Sequence, residues 1–548
     1  MRIARSFGTL SRVLRRFGSV GLYSGILGAA LWYGCAGSNP DYAGNVVDGG
    51  VGDLSTGGPP DLTCVKNPNE DLPDDMGLDT NCDGIDGDVT LAVFASPTGD
   101  DANLGTMESP VKTITKALAL AQQQQKHGVY LNMGMYNESV TLVDGIGVYG
   151  GYDAANKWVR TKTNTTTING GPTAVTASNL KLETHLDWVT IRSAAGAAGT
   201  AANRAGGSSY GVYVVNSTGA LHLRSDTIIA GNGGNGAAGT NGAIVTTGPA
   251  NNPAGNGGNG GGGASGSSNG GTAGVAGPSL CSRTGGTGGA GSRGNNGGGG
   301  SDGAANAGSG GAGGSSSPVC FASANKGGDG LNGSSGASGT VGTQASPAGT
   351  PSAGGFVPAS GGSGVSGLTA SAGGGGGAGG GGVSTLVCSA DTGGGGGGGG
   401  AGGCGGNAGL GGGGGGASVG VYSYMSAVVV FNTGITTGKG GDGGQGGNGT
   451  AGSQGGIGGA GGAGADDAAA GGKGGNGGKG GDAGAGSGGT GGPSYGIWTI
   501  KVDLDQNSIN NHFDGSGGGG TRGNGGTSVP GQGFPGSAGQ AATTHFDP

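Results

Sequence analysis

Between Asp79 and Asp88 the chain reads "DTNCDGIDGD", and its oxygen-bearing side chains alternate. Asp79, Asn81 and Asp83 stand two residues apart, Gly84 permits a tight turn, and Asp86 and Asp88 resume the step. Calcium takes six to eight hard oxygens, and an alternating Asp/Asn run folded about a glycine can supply them from one short loop. The spacing predicts a structural calcium ion held by Asp79, Asn81, Asp83, Asp86 and Asp88; the plainer expectation is a solvated acidic turn. Other residues suited to chemistry are sparse. The five histidines, His127, His185, His222, His512 and His545, show no ligand spacing and are expected to be separate, solvated surface residues. Asp503 and Asp505 alternate as paired carboxylates of a glycosidase could. Related segments carry His222 and Arg224, or Val429 and Phe431, at the matching places, so no acidic ladder runs through the chain. No Ser-His-Asp order can be defended, and glycine-based nucleotide motifs mean nothing in a chain with 154 glycines among 548 residues. No catalytic residue is assigned.

The acidic stretch resembles the calcium loops of EF-hands and thrombospondin type 3 repeats, although Thr90 stands where an EF-hand closes with glutamate. Further upstream, "MRIARSFGTLSRVLRR" holds five arginines and no acid, and "FGSVGLYSGILGAALWYG" then leads to Cys35. A basic start, an apolar stretch and small residues make an export signal. "LWYGCAGS" resembles the lipobox of bacterial lipoproteins, with Trp32 where leucine is common. The resemblance implies a signal peptide over 1–34, lipidation of Cys35, and an outer-membrane anchor at the cell surface. Loss of residues 1–34 removes five arginines and moves the formal charge from −8 to −13. Such an acidic chain repels phosphate backbones, so nucleic acid is not an expected partner. Cys64, Cys82, Cys281, Cys320, Cys388 and Cys404 remain. An even number in an oxidising compartment predicts up to three disulfides, most simply between neighbours: 64–82, 281–320 and 388–404.

The elements that must position these residues start near residue 91. Ser109 and Pro110 suit the start of a helix, and Val111, Ile114, Leu118 and Ala121 then fall on one face. "VYLNM", "ESVTLV" and "IGVYGGY" follow as short strands divided by turns. "SPTGDDANLGT", "SPVKTITKAL" and "MYNESVTL…GVYGGYD" together resemble the N-terminal module of pectin-lyase-type right-handed parallel β-helices, over residues 92–195. That resemblance implies a fold in which the helix plugs an open end, and it implies no particular activity.

Three later segments repeat one another: "SYGVYVVNSTGALHLRSDTI" from Ser209, "SVGVYSYMSAVVVFNTGI" from Ser418 and "SYGIWTIKVDLDQNSI" from Ser494. Each opens Ser-x-Gly and closes with apolar residues at one fixed spacing: Leu221, Leu223 and Ile228; Val428, Val430 and Ile435; Val502, Leu504 and Ile509. A step of two places side chains on one strand face, so these read as β-helix rungs, with "LDWVTIRS" as a fourth.

Glycine-rich sequence follows every repeat. From Gly440 to Gly464 glycine recurs at every third residue, with Lys439, Asp442, Gln445, Asn448, Ala451, Gln454, Ile457, Ala460 and Ala463 at the places before. Three is the period of polyproline II geometry, and only 19 prolines in the chain argue against a collagen triple helix. The pattern resembles the repeats of PE-PGRS surface proteins and of glycine-rich antifreeze proteins, which implies polyglycine II coils packed backbone to backbone; a flexible linker is the other reading.

The expected organisation is a signal peptide (1–34), a tether (35–60), the acidic segment (61–90), a cap with first rungs (91–230), a glycine-rich insertion (231–416), a rung (417–437), a second insertion (438–492), a rung (493–514) and a glycine-rich tail (515–548). The expected class is all-β, a right-handed parallel β-helix with an N-terminal capping helix and polyglycine II-like or disordered insertions. The expected function is non-catalytic: a structural or adhesive surface lipoprotein contacting glycan or matrix. A carbohydrate-active β-helix enzyme is the alternative, and ice or surface binding by glycine-rich faces a third.

Overall fold

Short runs of Val, Ile, Thr and Tyr, cut by Gly, Asn and Asp, fold as strands of two to seven residues. They are seen in a computed structural model that describes Lys66 and residues 71–245, 254–304, 308–319, 322–345, 349–383, 385 and 388–548. β1 (Ala92–Ala95), α1 (Ile114–Gln124), β2 (Gly128–Asn132), β3 (Gly134–Tyr136) and β4 (Val140–Thr141) come first. β5 (Gly147–Asp153), β6 (Val159–Arg160), β7 (Thr166–Gly170) and β8 (Thr173–Ser178) follow. Next are β9 (Thr184–Asp187), β10 (Val189–Ser193), β11 (Ser209–Val215), β12 (Leu221–Arg224) and β13 (Thr227–Ile229). The hairpin β14 (Thr350–Ser352) and β15 (Gly355–Val357) precedes β16 (Ser418–Tyr424), β17 (Val428–Phe431) and β18 (Gly434–Thr437). β19 (Ser494–Ile500), β20 (His512–Ser516) and β21 (Ala541–Asp547) end the order.

The protein is all-β, built on three sheets: β1-β2-β5-β9-β12-β17, β3-β7-β10-β13-β18-β20 and β4-β8-β11-β16-β19-β21. Pairing along the sheets is parallel, and only β6 joins β5 antiparallel. The chain visits the sheets in rotation, as β9-β10-β11, then β12-β13-β16, then β17-β18-β19. Each strand alternates, so one apolar row per sheet turns inward. Leu186, Leu223 and Val430 supply it from the first sheet, Ile191, Ile228 and Ile435 from the second, Val212, Val421 and Ile497 from the third; all join one buried cluster. The fourth segment read from sequence, "LDWVTIRS", folds as β9 and β10.

α1 packs on β1, β2 and β4 through Ile114, Ala117, Leu118 and Ala121. It starts later than Ser109. Val111 stays extended because its N–H donates to the Phe94 carbonyl (3.0 Å) and its carbonyl accepts from Ser96 N–H (2.8 Å). The Asp101 carboxylate holds the N–H groups of Lys112 and Thr113 (both 2.9 Å), and Thr113 becomes the N-cap. The Glu138 carboxylate accepts from Ile114 and Thr115 N–H (2.8 and 3.0 Å), which satisfies donors that a helix start leaves free.

The third sequence repeat diverges after Ile500. Val502 and Ile509, expected inside, are 40% and 52% exposed. Asp503 and Asp505 accept from the Leu504 and Asn507 N–H groups (2.7 and 2.8 Å), so local turns replace a strand. Phe513 of β20 then stands opposite Ile435, and the stretch expected as a glycine-rich tail ends in a strand, β21 paired to β19.

Each glycine-rich excursion leaves the second sheet and returns to the third: after Ile229 to Ser418, after Thr437 to Ser494, after Ser516 to Ala541. The Ser-x-Gly motif marks that corner. Ser209, Ser418 and Ser494 hydroxyls donate to the carbonyls of Ala194, Gly231 and Gly438, where the chain departs (2.8, 2.8 and 2.9 Å). A Cβ at Gly211, Gly420 or Gly496 would lie 2.5 Å from the Ile228, Ile435 or Phe513 side chain, so the glycine makes room for the second sheet's core residue.

Because the excursions leave from one corner, their coils pack together. Residues 391–404 are buried throughout. Gly394, Gly397, Gly400 and Gly403 donate to carbonyls of Ala469, Gly472, Gly475 and Gly478. Gly395, Gly398 and Ala401 donate to Gly261, Gly258 and Gly255, and Gly396, Gly399 and Gly402 to Gly289, Gly286 and Arg283. Carbonyls of the same run accept from three further tracts, around Gly274, Gly459 and Gly376. Six neighbours thus surround one coil, drawn from two excursions. A Cβ at Gly396, Gly397 or Gly398 would sit 1.9, 2.0 or 1.9 Å from the carbonyl oxygen of Gly376, Gly459 or Val275.

The Cys281–Cys404 disulfide ties this region across 123 residues, with the Cα atoms 5.6 Å apart. It replaces the expected 281–320 and 388–404 pairs, because coil packing brings residues distant in sequence side by side. Cys82 and Cys388 are disulfide-bonded as well. Cys35, Cys64 and Cys320, like the signal and tether regions, lie outside the described residues.

Candidate functional site

The acidic segment is clamped to the first sheet. Asp86, expected as a calcium ligand, is buried and pairs with the equally buried Arg160 guanidinium at 2.9 Å. Arg160 also donates to the Asp74 carbonyl (2.8 Å), Arg224 to the Pro73 carbonyl (2.8 Å), and Trp188 Nε1 to the Asp75 carboxylate (2.8 Å). The Tyr152 hydroxyl donates to the Asp86 carbonyl (2.7 Å), and the Tyr130 hydroxyl accepts from Asp88 N–H (2.9 Å). Within the loop, Asp79 accepts from Asp83 and Gly84 N–H, Asn81 from Asp83 N–H, Asp83 from Val89 N–H, and Asp88 from Thr90. Among the described residues these carboxylates do not converge as a set of ligands. Asp86 is thus paired with Arg160, while Asp79, Asn81, Asp83 and Asp88 accept from backbone N–H groups of their own loop.

Two histidines, expected apart, are brought together. Leu186 and Leu223 point into the core, so His185 on β9 and His222 on β12 point out, in register on adjacent strands. Their rings are 4.9 Å apart. Both Nε2 atoms face one carboxylate oxygen, Oε1 of Glu183, at 3.1 Å (His185) and 3.3 Å (His222). Burial lowers the pKa of both imidazoles, against the pull of Glu183. β9 and β12 carry only one histidine each, so sequence spacing could not show the pair. The strand alignment could: His222 sits between Leu221 and Leu223, and "THLDW" offers His185 one place before Leu186.

Further along that outward face, Asp187 pairs with Arg224 at 2.6 Å beneath the acidic segment. Burial pushes the Asp187 carboxyl up to about 6 in spite of Arg224. Asp226 lies deeper. It accepts one hydrogen bond from Val189 N–H (2.8 Å), its other oxygen has no partner, and burial raises its pKa well above the usual carboxylate range.

The third sheet bears an aromatic outer face. Tyr210, Tyr422, Tyr495 and Trp498 form a cluster with Phe356 of the β14–β15 hairpin. The Tyr210 hydroxyl accepts from Phe356 N–H (2.8 Å), and Tyr422 is bonded to Ser352 (2.7 Å). A recess of about 90 Å³ opens beside Pro351, Phe356, Tyr495, Trp498, His545 and Asp547. His545 stacks on Tyr495 at 4.4 Å, and Trp498 Nε1 donates to Asp547 (2.7 Å). His512 faces Asp514 at 3.5 Å on the surface.

The glycine bundle offers a different kind of surface. Over Lys439 to Asn448 and Lys473 to Asp482 its outer tracts keep a polar residue at every third place, and those residues add to the hydrogen-bond lattice. Backbone N–H groups of Asp442 and Asn448 donate to the side chains of Asn235 and Asn241 (both 2.8 Å), and those of Lys473 and Asn476 to Asp329 and Asn332 (both 2.7 Å). Lys439–Asp442 and Lys479–Asp482, each three residues apart, pair at 2.6 and 2.9 Å.

These features define an all-β protein of parallel sheets that supports a hydrogen-bonded glycine-rich bundle. No protein-family model, curated protein or solved structure matches the chain.

Proposed function

We propose that the chain is a right-handed parallel β-helix carrying a polyglycine II bundle, and that it serves without catalysis as an exported, lipid-anchored surface protein. In this reading it is structural or adhesive and contacts glycan or extracellular matrix. The rotation of the chain through three parallel sheets supports the β-helix. The anchor rests on "LWYGCAGS" and Cys35. Among the described residues no helix is long and apolar enough to cross a membrane.

One observation supports the functional reading: stretches of the outer tracts, Lys439 to Asn448 and Lys473 to Asp482, hold polar side chains at a three-residue step on a hydrogen-bonded backbone. In polyproline II geometry that step is about 9 Å. A flat face with repeating Lys, Asp, Asn and Thr suits a repeating polymer, where many weak contacts add, better than it suits a single small molecule.

Retention of the full-length protein on immobilised polysaccharides and matrix proteins tests this. Binding to at least one polymer, weakened when Lys473→Ala and Lys479→Ala are combined, is the expected result. Absence of retention on every polymer overturns adhesion. Release of reducing ends from polyuronides would instead favour a carbohydrate-active enzyme, and thermal hysteresis would favour ice binding.

A further inference from the structure

We propose that Glu183, His185 and His222 form a binding site for a divalent first-row transition metal ion, with zinc as the representative. The argument begins with strand register. β9 and β12 are parallel neighbours, and His185 stands opposite His222. Backbone pairing fixes both Cα atoms, and alternation fixes both side chains on the outer face, opposite Leu186 and Leu223. Glu183 lies two residues before His185, so it shares that face at the edge of the strand.

The donor atoms are already spaced for coordination. Tetrahedral zinc with bonds of about 2.0–2.2 Å places its ligand atoms roughly 3.3–3.5 Å apart. Here Oε1 of Glu183 is 3.1 Å from Nε2 of His185 and 3.3 Å from Nε2 of His222, and all three atoms lie within 4.8 Å of one another. The two edges need only tenths of an ångström to accept an ion. Nitrogen supplies two of the three donors, which selects zinc, nickel, cobalt or copper over calcium and magnesium. The nearby Arg224 charge is balanced by Asp187 at 2.6 Å, so it does not oppose the ion unscreened.

Access is open. One recess along Leu72, Gln125, Asp144 and Leu182 reaches Glu183 and His185, and another along Val429, Phe431 and Asn507 reaches His185 and His222. Three protein ligands with space on both sides leave a fourth position for water or for an oxygen or nitrogen donor from outside, the arrangement of an open rather than a closed zinc site. The other arrangement available to these groups is a plain hydrogen-bonded trio in which both Nε2–H groups donate to the carboxylate.

The test uses the full chain prepared without a histidine tag. Calorimetry with zinc should give one equivalent per chain, and cobalt(II) should give the intense visible bands of a four-coordinate ion. His185→Gln and His222→Gln should each lower zinc affinity by more than about 100-fold, beyond what loss of a merely supporting contact costs. His512→Gln, on β20, should leave it unchanged. Protection of His185 and His222 from diethyl pyrocarbonate by zinc, read by mass spectrometry on the unaltered protein, gives an answer even if a variant misfolds. Lack of zinc binding, or binding and protection indifferent to these residues, overturns the proposal and leaves the hydrogen-bonded trio.

Discussion

A buried carboxylate with one hydrogen bond is the clearest liability at the scale of single residues. Asp226 and Asp187 both have folded-state pKa values raised by burial, Asp187 to about 6 and Asp226 well above the usual carboxylate range. A raised value means the folded protein holds the proton that the unfolded chain would release. Their contribution to stability is therefore complete below the unfolded carboxylate value of about 4 and is lost as pH rises through the folded values. The melting temperature is expected to fall as pH rises from about 4 through about 6, and Asp226→Asn should flatten the fall, because the amide keeps the acceptor for Val189 N–H without a charge. A melting temperature that rises over this range, or an identical slope in the variant, would contradict the assignment. Neither acid draws attention in the sequence, where each is one more Asp near a turn. Its burial arises only when β9, β10 and β12 align. The same holds for His185 and His222, which are 37 residues apart along the chain and neighbours in space.

At the scale of elements, the number of glycines in each triplet reports how many sides of a coil are covered. The run 393–400 is glycine at every place and is surrounded on all sides, whereas 439–464 keeps one non-glycine place in three, exposed at Gln445, Asn448, Ala451, Gln454, Ile457 and Ala460. The reason is steric. A Cβ at Gly397 would sit 2.0 Å from the Gly459 carbonyl oxygen, while Gln454 points to solvent. Gly397→Ala is expected to cost about 1–3 kcal/mol by overpacking, and Gln454→Ala less than about 0.5 kcal/mol, measured by denaturant unfolding. Equal effects at the two places would mean that the coils are not packed as described. The three-residue period and the rungs from Ser209 and Ser418 were readable because backbone geometry writes a repeat directly into sequence. The third rung was not: Val502 and Ile509 continue the apolar spacing, but Asp503 and Asp505 turn the chain locally. The start of α1 was missed for a similar reason, since the Asp101 and Glu138 carboxylates, distant in sequence, decide it.

For the whole molecule, the parallel sheets and the glycine bundle depend on each other. An isolated glycine coil loses about 1–2 kcal/mol of conformational entropy per residue and regains only about 0.5–1.5 kcal/mol per hydrogen bond, so it does not order alone. Here every excursion starts and ends on strands that are already fixed, and Ser209, Ser418 and Ser494 hold the departure points. The Cys281–Cys404 bond then shortens the largest loop. The sequence marked where the first two excursions begin and end, but neither the closing strand β21 nor that separate excursions share one lattice, because which coil lies beside which is fixed by the common corner and not by local composition. Amide hydrogen exchange across residues 393–403 tests this account most directly. Each of these interior N–H groups has a named carbonyl partner on another tract, so exchange there should take hours and should slow together with the core strands β11 and β16. Complete exchange within seconds over 393–403, with β11 and β16 still protected, would contradict it.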